Sequence, residues 1–413
     1  MEFRGGHRVR LLGGGDELFP AMAQALNQAR AEAWMATYIF NDDQAGRQVT
    51  DALCAAAARG VQVRLLVDGF GSVSRLPSLR RWFAGSGVQL EVFRPLDRWW
   101  AWLQPGQLRR MHHKLLAVDG EVAFVGGINV IDDRYDIHHG WSERPRLDFA
   151  VELQGTVAGE VQHLAQALWT RASLVRGWRE ELTLLVRSPE PVARTAQLWR
   201  ELRTRSRARS DDRQAPAWEH LPPVRAALVV RDNFRQRRAI ERSYVEAIGR
   251  ARLRIDIACP YFYPGHAFRR ALRRAARRGV RVRLLMQGKI DYRIAALAAR
   301  VLYDEMLAHG IQVYEYTPAF LHAKVALVDD QWATVGSSNI DPMSLLLNLE
   351  ANVVLRDAPF ALSLSEHLER AFAESTQVTA PALRPGLRGW AVRGFVAWLA
   401  NAYLRLAGAA GRY

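Results

Sequence analysis

One short pattern occurs twice in this chain, and it restricts what the chain can fold into. The first copy begins at His112 and the second at His322, and both read His-x-Lys-x4-Asp-x6-Gly-[Gly/Ser]-x-Asn. Apolar residues on either side of Asp119-Gly120 predict a β-hairpin that turns at this dipeptide. Because strand side chains alternate between two faces, each histidine points to the same side as the lysine two residues later. Two matched copies predict two related structural units.

The duplication also covers the scaffold around the motif. Residues 56–69 and 274–288 match almost residue for residue from a shared glycine onward, and each predicts a helix end followed by a strand. Strand, helix and strand joined by short connections are typical of a parallel βαβ unit. We therefore predict an α/β protein in which the second half repeats the plan of the first.

Composition shifts along the chain divide it into four segments. We predict an N-terminal domain over 1–175, a basic linker over 176–225 with a short strand near 181–187, and a C-terminal domain over 226–380. Residues 381–413 mix arginines with tryptophans and leucines and contain no acidic residue, which is typical of an amphipathic helix at a membrane surface. Docking of this tail on the protein's own core is the alternative, and the tryptophan cluster at 99–103 and Trp141 carry the same ambiguity.

Net charge and cysteine usage narrow the class of partner. A formal charge of +15 over 413 residues favours polyanions, either nucleic acid or an anionic membrane surface, although solubility alone is a simpler explanation. Cys54 and Cys259 lie in no metal-binding spacing and suggest core thiols in a reducing compartment. The sequence predicts no signal peptide and no transmembrane helix.

The paired residues of the motif indicate phosphoryl chemistry. A neutral imidazole is a nucleophile near neutral pH, and a second imidazole can act as a general acid. Lys114 and Lys324 would supply positive charge to phosphoryl oxygens, and Asn129 and Asn339 would supply neutral donors. No carboxylate cluster suits a metal ion, so we predict covalent phosphoryl transfer with no metal and no cofactor.

These residues together resemble the phospholipase D superfamily, whose signature is the duplicated His-x-Lys-x4-Asp motif. Within it the chain is similar to bacterial cardiolipin synthases, in the branch that lacks the N-terminal pair of membrane helices. The segments that carry this resemblance are Tyr38-Ile39-Phe40 with Asp43 and Gly46, Pro260-Tyr261-Phe262 with Pro264-Gly265, Asn339-Ile340-Asp341, and Asn348-Leu349-Glu350. The resemblance implies two homologous phospholipase D-like α-β-α sandwich domains, related by a pseudo-twofold axis, with the active site at their interface.

The resemblance also implies roles for individual residues. His112 is expected to be the nucleophile and His322 the general acid and base, while Asp148 and Glu350, one downstream of each motif, orient the histidines. The expected catalytic set is the two motif triplets His112, Lys114, Asp119 and His322, Lys324, Asp329, and Ser337 joins the asparagines and the two downstream carboxylates in support. Asp119 and Asp329 lie on the far side of the motif and are expected to serve structure more than chemistry.

The function that these expectations favour is cardiolipin synthesis. The enzyme would transfer a phosphatidyl group from phosphatidylglycerol to a second phosphatidylglycerol, another lipid or glycerol, on the cytoplasmic side of the bacterial inner membrane and without nucleic acid. A hydrolase, a nuclease or phosphodiesterase of the same superfamily, and a non-catalytic membrane scaffold are the alternatives. No motif reads the acceptor, and none indicates an oligomeric state.

Overall fold

The computed structural model describes residues 3, 5–95, 109–137, 139–186, 224–231, 236–289, 302–341, 344 and 348–379, with the backbone alone for 175–186. In the first half the strands are β1 (Arg8–Gly13), β2 (Glu32–Thr37), β3 (Gln62–Asp68), β4 (Gln89–Phe93), β5 (Lys114–Val118), β6 (Val122–Gly126), β7 (Tyr135–Asp136), β8 (Gly140–Trp141) and β9 (Phe149–Gln154). The helices are α1 (Gly15–Gln28), α2 (Gln44–Ala58), α3 (Leu76–Phe83) and α4 (Thr156–Val186), with a 3-10 turn at Val73–Arg75.

The second half repeats this order. Its strands are β10 (Arg225–Arg231), β11 (Arg254–Ala258), β12 (Arg281–Gln287), β13 (Gln312–Tyr316), β14 (Val325–Val328), β15 (Trp332–Gly336), β16 (Glu350–Arg356) and β17 (Thr376–Gln377). Its helices are α5 (Ala239–Arg250), α6 (His266–Arg277) and α7 (Ala358–Ala373), and residues 302–307 are also helical.

Two mixed sheets of equivalent topology form the framework. The first has the strand order β1-β9-β6-β5-β2-β3-β4, and the second has the order β10-β16-β15-β14-β11-β12-β13-β17. In each sheet the three strands of the βαβ repeat are parallel, and the motif strand, β5 or β14, pairs antiparallel with the first of them. The motif therefore lies at the centre of each sheet, where both of its neighbours are buried strands.

Apolar side chains cover both faces of each sheet. One cluster packs α1, α2 and α3 on the first sheet, and another packs α5 and α6 on the second. A third cluster joins the remaining faces of the two sheets with α4 and α7. Each half is thus an α-β-α sandwich, as predicted, and the shared cluster makes the halves one packed body.

Short bridges between the halves follow a reciprocal pattern. Met111 of the first half pairs with Leu349 of the second, and Leu147 of the first pairs with Leu321 of the second. Met111 and Leu321 hold equivalent positions before the motif histidines, and Leu147 and Leu349 hold equivalent positions before Asp148 and Glu350. The same contact thus occurs twice, with the roles of the two halves exchanged. This is what a twofold axis produces, and here it relates two halves of a single chain.

One local prediction is wrong. The segment near 181–187 was expected to form a strand, but α4 runs without interruption to Val186. A helix already formed on an apolar face adds residues at low cost, and this outweighs the strand preference of a short apolar run. The segment boundaries at 175, 225 and 380 stay predictions.

Other predicted features lie outside the described residues. These are the rest of the linker at 187–223, the tryptophan cluster at 99–103 and the tail at 381–413. Within the ranges that are described, no helix has both the length and the apolar character needed to cross a membrane.

Candidate active site

The bridges between the halves bring the two motif histidines to one place. The backbone N–H of His112 donates to Leu349 O at 3.0 Å, and that of His322 donates to Leu147 O at 2.9 Å. Each histidine lies two or three residues before a central strand and is held by the opposite half. The positive charge of Lys324 adds to the lowering of the pKa of His112, and that of Lys114 adds to the lowering for His322, so the four groups share one site.

The surroundings of His112 fix where its proton lies. Its Nδ1 atom is 3.1 Å from Glu350 Oε2 and 3.1 Å from the backbone oxygen of Ser337. Because a carbonyl oxygen can only accept, Nδ1 carries the proton and Nε2 keeps a free lone pair. Burial lowers the pKa of His112, which keeps the ring neutral.

Glu350 is an ionised partner for His112. Burial by itself would raise the pKa of this carboxyl, but the interaction with His112, the charge of Lys114 and the hydrogen bond from Ser337 lower the pKa below its usual range. The Ser337 hydroxyl donates to the same Oε2 atom at 2.5 Å. An ionised carboxylate beside Nδ1–H raises the electron density on Nε2, as a nucleophile requires.

His322 has a different partner. Its Nδ1 atom lies 2.6 Å from Asp148 Oδ2, while the Asp148 Oδ1 atom accepts from the backbone N–H of Phe149 at 2.8 Å. Burial raises the pKa of Asp148 to about 7, and burial together with the Lys324 charge holds the pKa of His322 well below its ordinary value. A proton on Asp148 can therefore be donated to Nδ1, which leaves the proton of the neutral ring on Nε2, the position of a general acid.

The two carboxylates serve the histidines crosswise. Asp148 belongs to the first half and orients His322, and Glu350 belongs to the second half and orients His112. Both acids could be named from the sequence, but the exchange could not, because spacing along the chain does not tell which half a side chain faces.

Both motif lysines are buried beside the histidines. Lys114 Nζ donates to His112 O at 2.8 Å, and Lys324 Nζ donates to His322 O. Burial lowers the pKa of Lys114 to about 7 and that of Lys324 to about 8. An anion bound beside a buried ammonium offsets the cost of its desolvation. The two lysines are therefore suited to binding a phosphodiester.

The predicted supporting residues differ between the halves. Asn129 Oδ1 accepts from the Ile39 N–H at 3.2 Å, whereas Asn339 Oδ1 is buried and has no hydrogen-bond partner among the described residues. Gly127 holds the position of Ser337, and a Cβ atom there would lie 2.2 Å from Asp148 Oδ1. Glycine thus makes room for the Asp148 carboxylate, while serine binds Glu350.

Asp119 and Asp329 lie away from the site, at the opposite end of the motif strands. The Asp119 carboxylate accepts from the backbone N–H groups of residues 30–32 at 2.8 to 2.9 Å. Asp329 accepts in the same way from residues 252–254, and each aspartate has a positive φ in its turn. Both therefore fix the start of the neighbouring strand, and their place in the catalytic set is corrected to a structural one.

Tyr38 joins the site without having been predicted as a site residue. Its ring centroid lies 4.8 Å from that of His112 with the rings edge to face, and Lys114 Nζ lies 5.1 Å from the Tyr38 ring centroid. Its position just after β2 was the available signal, because the loops at the carboxyl ends of parallel strands carry binding groups in α/β sheets. As for metal binding, the described part of the chain holds no group of three or more His, Cys, Asp or Glu side chains arranged as ligands.

The chain is similar in sequence to known cardiolipin synthases. The family described as "Cardiolipin synthase, PLD-like domain" matches residues 22–139 and 244–374. Cardiolipin synthase B of Escherichia coli K12 is 36% identical over 392 residues, covering 94% of this chain and 86% of the relative. Cardiolipin synthase A of Pseudomonas putida GB-1 is 31% identical and covers 91% of this chain and 70% of the relative.

The fold has a counterpart among solved structures. The crystal structure of phosphatidylserine synthase from Haemophilus influenzae Rd KW20 covers 97% of this chain and 95% of its own, with a TM-score of 0.65 and 11% identity. This likeness confirms the predicted fold class, and the sequence matches confirm the predicted resemblance. The chain belongs to the cardiolipin synthase family of proteins with PLD-like domains and is an enzyme of the phosphatidyltransferase class.

Proposed function

We propose that this enzyme transfers a phosphatidyl group from phosphatidylglycerol to a second lipid alcohol, with His112 as nucleophile and His322 as general acid and base. The observation that carries this proposal is the pair of buried imidazoles, each with Nδ1 on a carboxylate of the opposite half. The names of the relatives, cardiolipin synthases A and B, support the choice of product.

In the first step, His112 Nε2 attacks the phosphorus of phosphatidylglycerol. The P–O bond to the glycerol headgroup breaks, and the proton on His322 Nε2 goes to the departing oxygen. The Asp148 proton moves to His322 Nδ1 at the same time, so the ring stays neutral. Lys114 and Lys324 stabilise the negative charge that builds up on the other phosphoryl oxygens. The products of this step are free glycerol and a phosphatidyl group bound to His112.

In the second step, the incoming alcohol reverses these movements. Its O–H proton passes to His322 Nε2, its oxygen attacks phosphorus, and the P–N bond to His112 breaks. The proton on His322 Nδ1 returns to Asp148, which restores the starting state. With phosphatidylglycerol as the acceptor the product is cardiolipin, and with water it is phosphatidic acid. The ratio of the two products measures how well the site excludes water.

Purified protein incubated with phosphatidylglycerol vesicles tests the proposal. We expect cardiolipin and free glycerol in equal amounts, measured by mass spectrometry. Phosphatidic acid without cardiolipin would show a hydrolase, and cleavage of DNA without lipid turnover would show a nuclease. Vesicles that also contain phosphatidylethanolamine would identify the preferred acceptor.

The β7–β8 hairpin is our candidate for the contact with the membrane. Trp141 is 70% exposed in β8, and Ile137 is 43% exposed in the turn between the strands. The ring of His139 in the same hairpin lies 5.2 Å from that of Phe320, two residues before His322, so the hairpin stands beside the site. Tryptophan with exposed aliphatic residues is typical of the interfacial zone of a bilayer.

Charge beside the hairpin favours an anionic bilayer. Arg134 and Arg144 flank it and are exposed, and their ion pairs with Asp16 and Glu374 are at the surface and therefore weak. We propose peripheral binding to the cytoplasmic face of the bacterial inner membrane through this hairpin.

Truncating Trp141 to alanine should weaken vesicle binding. We expect the affinity for phosphatidylglycerol vesicles to fall about tenfold, since a large apolar side chain loses its burial in the bilayer. Leu253→Ala is the matched control, because Leu253 is 63% exposed but lies at the far end of the second sheet. Vesicle sedimentation measures both variants, and equal affinities would remove the hairpin from the membrane contact.

The lowered pKa values of the lysines predict a basic limb in the pH profile. The pKa is about 7 for Lys114 and about 8 for Lys324, so their positive charge is present at low pH and is lost as pH rises through these values. We expect kcat/KM to fall between pH 7 and pH 9. Bound phosphodiester raises both pKa values, so kcat should fall at a higher pH.

Initial rates from pH 6 to pH 10 on vesicles of fixed composition measure this profile. Vesicle binding in the same buffers is the control for a loss of membrane contact. A kcat/KM that stays constant up to pH 10 would contradict the assignment of the lysines to phosphate binding.

A further inference from the structure

Two side chains outside the motif, one buried and one partly buried, hold the segments that carry the histidines. Asp68 Oδ2 accepts from the backbone N–H of Met111 at 3.0 Å, and Gln287 Oε1 accepts from the backbone N–H of Leu321 at 2.7 Å. Asp68 ends β3 and Gln287 ends β12, so the two residues occupy equivalent positions in the halves. Each N–H donor belongs to the residue directly before a motif histidine.

The bridge geometry explains why each of these N–H groups needs an acceptor. The bridge at Met111 uses the His112 N–H and the Arg110 carbonyl, both of which bond to Leu349. Backbone groups alternate in direction along an extended segment, so the N–H of Met111 points away from Leu349. Met111 is fully buried, and without Asp68 this donor would have no partner.

The second half repeats this arrangement. The His322 N–H donates to Leu147 O, and the Leu147 N–H donates to Phe320 O, both at 2.9 Å. The Leu321 N–H points to the other side and meets Gln287. The same bridges carry Asp148 and Glu350, each one residue beyond the bridging leucine, so they set both the imidazoles and their carboxylates.

The Asp68 side chain is itself held in place, and both acceptors lie at strand ends that pack closely on a neighbouring strand. Asp68 Oδ1 accepts from the N–H groups of Phe70 and Gly71 at 2.8 and 3.2 Å, and the Arg110 guanidinium lies 3.9 Å from the same atom. The residue after each acceptor is glycine, and a Cβ atom there would lie 2.5 Å from the Arg94 oxygen in one half and 2.8 Å from the Tyr316 oxygen in the other. The strand end can therefore approach its neighbour closely.

We infer that Asp68 and Gln287 are positioning residues for the transfer reaction, Asp68 for the nucleophile His112 and Gln287 for the acid and base His322. This inference rests on the proposed function and extends it to a second layer of the site, namely Asp68 and Gln287 behind the histidines. Neither residue is expected to touch the lipid. Each acts by fixing the backbone from which an imidazole and, across the bridge, a carboxylate are presented.

Displacement of a reacting group by about 1 Å can cost about 10²-fold in rate. We therefore expect Gln287→Leu and Asp68→Asn to lower kcat between 10-fold and about 100-fold while KM changes less than about twofold. In the asparagine variant an NH2 group takes the place of one carboxylate oxygen. Either the Met111 N–H or the N–H groups of Phe70 and Gly71 then lose their acceptor. Gln287→Glu keeps an acceptor oxygen and should restore most of the activity.

An activated lipid separates this role from a general loss of structure. Phosphatidyl-p-nitrophenol releases a leaving group that needs no proton, so its first turnover depends on His112 and not on His322. Gln287→Leu should retain the first-turnover release of nitrophenolate while losing turnover of phosphatidylglycerol. Asp68→Asn should lose both.

Thr334→Val is the matched control. Thr334 is buried in β15. Its hydroxyl donates to Val353 O at 3.0 Å and accepts from Asn352 Nδ2 at 3.4 Å, so the variant loses buried hydrogen bonds of the same sheet, neither of which is made with a histidine. It should lose thermal stability and keep kcat. Equal loss of both activities in Gln287→Leu, or wild-type kcat in both positioning variants, would overturn the inference.

Failure of this inference differs from failure of the proposed function. If the positioning variants are fully active while His112→Ala and His322→Ala are inactive, the transfer mechanism stands and the second layer does not. If the histidine variants turn over phosphatidylglycerol, the proposed function itself is wrong.

Discussion

Alanine at His112 or at His322 is expected to lower the turnover of phosphatidylglycerol at least about 10³-fold, because each imidazole takes part in both steps of the transfer. The two losses should differ in kind. In His112→Ala no phosphatidyl-enzyme forms. In His322→Ala the nucleophile is intact, and only the proton transfers are missing.

Phosphatidyl-p-nitrophenol makes this difference visible. We expect His322→Ala to release about one equivalent of nitrophenolate per enzyme and then stop, since the covalent intermediate forms but no base activates the acceptor. His112→Ala should release none. His163→Ala is the control, because this histidine is exposed on α4 and should leave both activities unchanged. A burst in His112→Ala and none in His322→Ala would reverse the assigned roles.

The second large effect is expected at the crossed carboxylates. Glu350→Gln and Asp148→Asn should each lower kcat by about 10²- to 10⁴-fold. The glutamine carries no charge to balance the phosphorylated imidazole of His112, and the asparagine cannot pass a proton to His322 Nδ1 and take it back. The nitrophenyl lipid shows which histidine each acid serves. Glu350→Gln should lose the burst, because Glu350 orients His112, and Asp148→Asn should retain it.

A double-mutant cycle adds a second measure of the crossing. Glu350→Gln should cost little more once His112 is already alanine, but should add its own loss when His322 is alanine. Glu152→Gln is the control. Glu152 lies on β9, which begins directly after Asp148, but its carboxylate pairs with Arg10 at the surface. If the burst is lost in Asp148→Asn and kept in Glu350→Gln, each acid serves the histidine of its own half.

Much of the fold could be predicted from the sequence because the same signals occur twice. The glycine before β3 and β12, the apolar strands and the motif spacing each gave the same answer in both halves, which is stronger than any of them alone. The short apolar run near 181–187 had no counterpart in the other half. It was assigned to a strand on local composition, and α4 continues through it.

Site residues could be predicted where their type and spacing indicate a chemical role. They could not be predicted where the role depends on the three-dimensional arrangement of the backbone. The imidazoles, the lysines and the two acids stand out by type and spacing. The role of Asp68 and Gln287 could not be predicted, because a polar residue at a strand end followed by glycine reads as an ordinary strand terminus. Only the direction of the Met111 and Leu321 N–H groups reveals that role, and it depends on how the halves pack.

The crossing of Asp148 and Glu350 has a consequence for how activity arises during synthesis. The ribosome delivers the first half, with His112 and Lys114, well before Glu350 and Ser337 exist. Until Glu350 and Ser337 are synthesised, no oxygen of either residue holds the proton of His112 on Nδ1. His322 is absent at that stage as well. A nascent or truncated chain therefore has no working nucleophile, and we expect it to leave the phospholipids of the membrane intact until the second half has docked.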